Sequence, residues 1–150
     1  TYLEKTFKSV SDADLNLVSD EEKRAQERAQ EENKDILAAL KTALSGKVKD
    51  VRLSDRLKSS PVCLTSDGPL SIEMEKVLSS MPVSDGTVKA ERVLEINPAH
   101  PVFTVLAKLG TDDARVGKYA NLLYDQALLI EGLPIEDPVS FSNSICELMV

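Results

Sequence analysis

Any acid–base, nucleophilic or metal chemistry in this 150-residue chain would fall to one histidine, two cysteines and 25 acidic side chains. His100 stands between Ala99 and Pro101 at the start of an expected helix, where an imidazole caps the helix more readily than it serves as a general base. Cys63 and Cys146 are far apart and have no neighbouring Cys or His at metal-ligand spacing, so they read as reduced, partly buried thiols. The patterns GxSxG, GxxxxGK[ST] and HExxH do not occur, and the six glycines are scattered singly, which does not build a phosphate cradle. The carboxylates fall mostly on expected solvated helix faces. These residues predict no catalytic site, no metal and no cofactor within the chain, so it is not expected to be an enzyme.

The elements that would position a binding surface are more informative. Ser19 and Glu22 form a capping-box pattern, and a long helix is expected from about Asp20 to Ser45, stopping at Gly46. Its first half, "DEEKRAQERAQEENKD", has only alanines among its apolar residues and reads as a solvated connector. The second half gains a stripe of Ile36, Leu40 and Leu44, with Leu37 beside it, that must pack on a core. Three short β-branched runs, "VKDVRLS", "PVCLTS" and "ERVLEINP", predict a small three-stranded sheet, with Pro61 favouring an edge position for the second.

Between the last two strands, "SDGPLSIEMEKVLSSMP" carries Leu70, Met74, Val77, Leu78 and Met81 as one narrow apolar stripe, with Ile72 outside it. Core packing is the commoner use of such a stripe. Methionine also recurs at adaptable binding faces, and flexible stretches flank this helix.

After the third strand the pattern is helical. One helix begins near Asn97 or His100 and ends at Gly110, a second runs from about Asp113 to Glu131, and a third is capped by Asp137 with Pro138 in its first turn. On the long helix Val116, Tyr119, Ala120, Leu123, Ala127 and Ile130 share one face. Leu122 and Leu129 lie on one flank of it, Tyr124 and Leu128 on the other. The last helix has two stripes, Phe141, Ile145 and Leu148 in one, Cys146 and Met149 in the other. This hairpin either buries its surplus flanks within its own chain or pairs with a second copy as a four-helix bundle, and pattern alone favours neither.

Composition narrows the partners. A formal charge of −7 repels nucleic acid and anionic lipid. Apolar runs are far shorter than a membrane span requires. The opening "TYLEKTFKSV" has neither an initiator Met nor a signal-peptide pattern, so a piece of a longer polypeptide is expected.

Three segments, "VKDVRLSDRLKSSPVCL", "LEINPAHPVF" and "LLYDQALLIEGLPIEDPVSFSNSICELM", resemble in order and spacing the C-terminal domain of the ninety-kilodalton heat-shock chaperones in their bacterial form. Residues 1–18 resemble the end of that family's middle domain. The resemblance implies an α+β fold: residues 19–46 as a connector helix, and residues 47–150 as a dimerisation domain with a small three-stranded sheet packed with helices. It implies a homodimer interface of Leu122, Tyr124, Leu128, Leu129, Phe141, Ile145, Leu148 and Met149, and a client-binding helix presenting Leu70, Met74, Val77 and Leu78. It further implies a cytoplasmic, ATP-dependent chaperone that binds unfolded or partly folded clients, with ATP and Mg held by an upstream domain of the parent. The ending "CELMV" departs from the eukaryotic branch, so no acidic tail for tetratricopeptide co-chaperones is expected. The alternative is a stand-alone helical adaptor that binds one partner.

Overall fold

A computed structural model describes residues 19–82 and 89–150. The stretch read as the end of a preceding domain, residues 1–18, lies outside the described residues.

Ser19 accepts the backbone N–H of Glu22, and the Glu22 carboxylate accepts the Ser19 N–H in return, so the capping box forms and α1 (Asp20–Glu32) begins where expected. No residue of α1 is buried. The expected single connector helix is divided. Asn33, at φ −108° and ψ 15°, ends α1 and opens α2 (Lys34–Ala43). Its side-chain amide donates to the Ala29 carbonyl at 2.8 Å, competing with the helical ladder at the break. Beyond the break α2 buries Ile36, Leu37 and Leu40, so it belongs to the core, whereas α1 does not. Gly46 follows with φ 83°, the left-handed conformation that glycine adopts without a Cβ penalty.

The three strands are β1 (Asp50–Leu53), β2 (Val62–Ser66) and β3 (Arg92–Ile96), with α3 (Ile72–Ser79) between the second and third. β3 is central, parallel to β1 and antiparallel to β2. β2 is therefore an edge strand, and Pro61 just before it supplies only its carbonyl, to the Asn97 N–H at 2.9 Å.

Register sorts the sheet into two faces. Val51, Leu94 and Leu64 form one cross-strand row, and Leu53, Ile96 and Val62 the next. All six are buried in one cluster with Leu40 and Leu44, and with Val116, Ala120, Leu123, Ala127 and Leu128. The opposite face carries Arg52, Glu95 and Cys63 in a row, with Val93 and Thr65 beside them.

Helix α4 (Pro101–Leu109) starts at His100, whose Nδ1 accepts the Val102 N–H at 3.2 Å. The cap is His100 rather than Asn97. Phe103 and Leu106 turn inward from it. Two helices complete the chain, α5 (Arg115–Ile130) and α6 (Pro138–Met149). Asp137 caps α6 through the Ser140 N–H at 2.9 Å. The turn between them buries Leu133 and places Gly132 at φ 71°. Lys118 near the start of α5 meets Glu147 near the end of α6 at 2.6 Å, which sets the two helices antiparallel.

Candidate functional site: two unpartnered apolar faces and a buried charge between them

Helix α5 buries Val116, Ala120, Leu122, Leu123, Tyr124, Ala127 and Leu128 within its own chain. Three residues expected at a dimer interface, Leu122, Tyr124 and Leu128, are among them. Leu122, Tyr124 and Leu128 are all less than a tenth exposed, because a helix packed against both the sheet and α2 hides its flanks as well as its central stripe. Ile130, expected on the core face, is instead about half exposed beside Leu129 at the C-terminal end of the helix.

Helix α6 contrasts with it. No residue of α6 is buried, although it carries Val139, Phe141, Ile145, Leu148 and Met149. Phe141, Ile145 and Leu148 are partly covered, whereas Val139 and Met149 are open at 70% and 78%. Cys146 is exposed, not partly buried as expected. Leu129 and Ile130 at the end of α5, and Val139 and Met149 near the two ends of α6, are thus left exposed on the hairpin.

Helix α3 presents a second such face. Ser71 caps it through the Met74 N–H at 3.1 Å. Its inward residues are Ile72 and Glu75, while Met74 and Val77 are 52% and 57% exposed. The expected stripe therefore faces away from the core, and the excluded Ile72 is the anchor. Within that stripe Leu70 packs against the core and Leu78 is only partly exposed, so Met74, Val77 and the following Met81 carry most of the open surface.

Glu75, which sequence reasoning passed over, is held by two partners from the stretch that enters β3. One carboxylate oxygen pairs with the Arg92 guanidinium and the other accepts the Ala90 N–H at 2.9 Å. Arg92 also donates to the Tyr124 hydroxyl at 2.7 Å. Burial pulls the Arg92 pKa down, but Tyr124 and Glu75 outweigh it and the net shift is upward. Burial moves Tyr124 upward as well. Lys47 lies 5.5 Å from the centre of the Tyr124 ring, on a partly charged surface above it. An Ile at the first turn followed by an acidic residue three positions later was the one local sign that α3 docks through a charge.

A cavity of about 530 Å3 opens between α3, the start of β3 and the α5–α6 turn, with Leu128 and Leu133 among its walls. Its cations are already engaged: Arg92 by Glu75, Lys89 by Glu136 at 3.7 Å and Lys76 by Glu73 at 3.3 Å. Among the described residues no group of three or more His, Cys, Asp or Glu is placed to hold a metal ion. No described helix is long and apolar enough to cross a membrane.

Comparison with known proteins gives the chain its relatives. The sequence family described as Hsp90 protein matches residues 1–150. The chain is 56% identical over 151 residues to the chaperone protein HtpG of Bacillus velezensis, covering 100% of this chain and 24% of that relative. The Bacillus subtilis protein of the same name is 54% identical with the same coverage. That of Clostridium acetobutylicum is 56% identical over 149 residues, 99% of this chain and 23% of the relative. The chain therefore spans about a quarter of the length of these relatives.

These matches overturn two expectations. The chain was expected not to be an enzyme and to hold no cofactor, with ATP and Mg confined to an upstream domain. The chain matches the Hsp90 family and HtpG chaperones along its whole length, so neither exclusion stands as a property of this chain. Both are withdrawn. With the family sequence matched from first residue to last and identities above one half, the chain belongs to the Hsp90 family of chaperone proteins.

Proposed function

We propose that this chain is the C-terminal dimerisation domain of an ATP-dependent chaperone, with residues 19–46 as its connector and residues 47–150 as its body. In this reading the α5–α6 hairpin pairs with its copy as a four-helix bundle. The observation that carries it is α6, a twelve-residue helix with five large apolar side chains and none buried in its own chain. So short a helix holds its shape in water only when its apolar side is covered.

The interface is built from Leu129, Phe141, Ile145, Leu148 and Met149, joined by Ile130 and Val139. Leu122, Tyr124 and Leu128 support it from behind. If about six such side chains leave water at roughly 1.5–3 kcal/mol each, the gross gain is roughly 10–20 kcal/mol per subunit. Two subunits together exceed an association cost on the order of 4–15 kcal/mol. Tethering the copies makes every step that needs both of them intramolecular.

The second part of the reading assigns α3 to clients. Met74, Val77 and Met81, with Leu78 and Leu70 at their margin, form an adaptable apolar ledge for unfolded or partly folded chains. A net charge of −7 disfavours nucleic acid and anionic lipid as alternatives.

Light scattering across a dilution series tests the first part. The expected mass at low micromolar concentration is that of a dimer, with no partner added. A monomer at every concentration removes the dimerisation reading and leaves the helical adaptor. For the second part, Met74→Asp together with Leu78→Asp should weaken binding of a permanently unfolded protein, and unchanged affinity removes the client assignment.

A further inference from the structure

Helix α3 is eight residues long and buries only Ile72 and Glu75. For a helix of that length, two anchors must decide how it sits. One of them is a charge, and its partner is shared. Arg92 extends from the first position of the central strand, pairs with Glu75 on one side and donates to Tyr124 of α5 on the other. Glu75 also accepts the Ala90 N–H, so the carboxylate is held by backbone as well as by side chain. Tyr124 lies on the helix whose end carries Leu129 and Ile130, and Leu128, beside that end, lines the cavity under α3.

We propose that Glu75, Arg92 and Tyr124 are positioning residues that fix the pose of α3 against α5, and so set how its exposed Met74–Val77–Met81 face is presented. The inference rests on the reading of α3 as a client-binding helix for its functional consequence, but not for the positioning itself. Ile72 supplies burial without direction, since an apolar contact tolerates rotation. The carboxylate–guanidinium pair is directional and admits one arrangement. Because the guanidinium bonds on to the Tyr124 hydroxyl, a shift of α5 near that residue has a directional route to α3 through Arg92.

The test uses hydrogen exchange on the protein that carries this chain, in three variants. Glu75→Gln keeps the shape and an acceptor for the Ala90 N–H but removes the charge. Exchange of the α3 amides is expected to accelerate about tenfold or more, the order expected when a buried ion pair loses one partner. Amides of α2 and β3 should stay within about threefold of the parent, because their burial does not depend on α3. Tyr124→Phe removes one hydroxyl, leaves the core volume intact and provides a variant that folds if Glu75→Gln does not. It should accelerate α3 by a few-fold. The double variant should fall short of the product of the two single effects, because both act through Arg92.

Equal acceleration in α2, β3 and α3 would reduce these residues to general stability and overturn the proposal, as would additive effects in the double variant. Binding of a reduced, carboxymethylated protein, which stays unfolded, provides the separate readout. Its Kd should rise about threefold or more in Glu75→Gln. A loosened α3 with unchanged Kd refutes the client reading while leaving the positioning role in place.

Discussion

Cys63 stands in the row of β2 that faces Glu95, its sulfur 3.8 Å from a carboxylate whose main partner is Arg56. Arg56 meets Glu95 with one nitrogen at 2.9 Å from both oxygens, a charge-assisted contact beside the thiol. Burial first, and then the Glu95 charge, push the Cys63 thiol up to about 12. At neutral pH that leaves almost no thiolate, and thiolate is the reactive form. With Cys146→Ser leaving Cys63 alone, its reaction with a disulfide reagent at pH 7 should be at least about 100-fold slower in the native protein than in denaturant. Comparable rates would mean that the row is open to solvent. The sequence showed two isolated cysteines but not which was protected, because protection comes from Glu95 across a strand pair and from Arg56 in a loop. Neither lies near Cys63 in the chain.

At the scale of elements, the start of α5 provides a pH-dependent contact. Arg115, first by its side chain and then by its backbone N–H, holds the Asp113 carboxyl down to about 2 from an ordinary 3.8. A carboxyl depressed on folding contributes stability that is complete above its unfolded value and is lost as pH falls through the folded one. The contact should therefore be intact above about pH 4 and gone near pH 2. Asp113→Asn should lower stability modestly above about pH 4 and converge with the parent near pH 2, flattening the acid limb of the stability curve between those values, as read by unfolding midpoints along a pH series. A parallel drop at every pH would show that the carboxylate has no titrating role.

Helix ends of this kind were legible beforehand. Ser19, His100 and Asp137 occupy their N-caps, and Gly46, Gly110 and Gly132 follow their helices with positive φ, because caps depend on a few adjacent residues. The break at Asn33 was not, since no proline or glycine stands near it and only the Asn amide bond to Ala29 marks the interruption. The facing of α3 was not legible either. Its apolar stripe has the spacing of a core face, and what reverses it is the Glu75–Arg92 pair, formed by residues on two different elements. The burial of Leu122, Tyr124 and Leu128 within their own chain has the same origin: the sequence shows a helix apolar on several sides, while the number of sides its own chain covers is set by α2 and the sheet.

For the whole molecule, the decisive asymmetry is that α5 belongs to the core whereas α6 only leans on it. Two sets of substitutions on adjacent helices should therefore separate folding from assembly. Ile145→Asp with Met149→Asp places charges on a helix that has no buried residue, so the subunit should keep its unfolding midpoint at matched protein concentration apart from the stabilisation that assembly confers. Its mass should halve. Leu128→Ala, at a side chain with 2% exposure, should instead cost about 2–5 kcal/mol of stability through the cavity it leaves and alter assembly only through unfolding. Mass by light scattering and midpoints by denaturant titration read both arms in one series. If the α6 variant stayed dimeric, the uncovered hydrocarbon of the hairpin would not be what joins the copies. If it unfolded as Leu128→Ala does, α6 would be part of the subunit core, and the open exposures of Val139 and Met149 would no longer describe the folded protein. A monomer that retains the helical signal of α2 and α5 is the expected result, because those helices are closed by the sheet and by each other, not by the second copy.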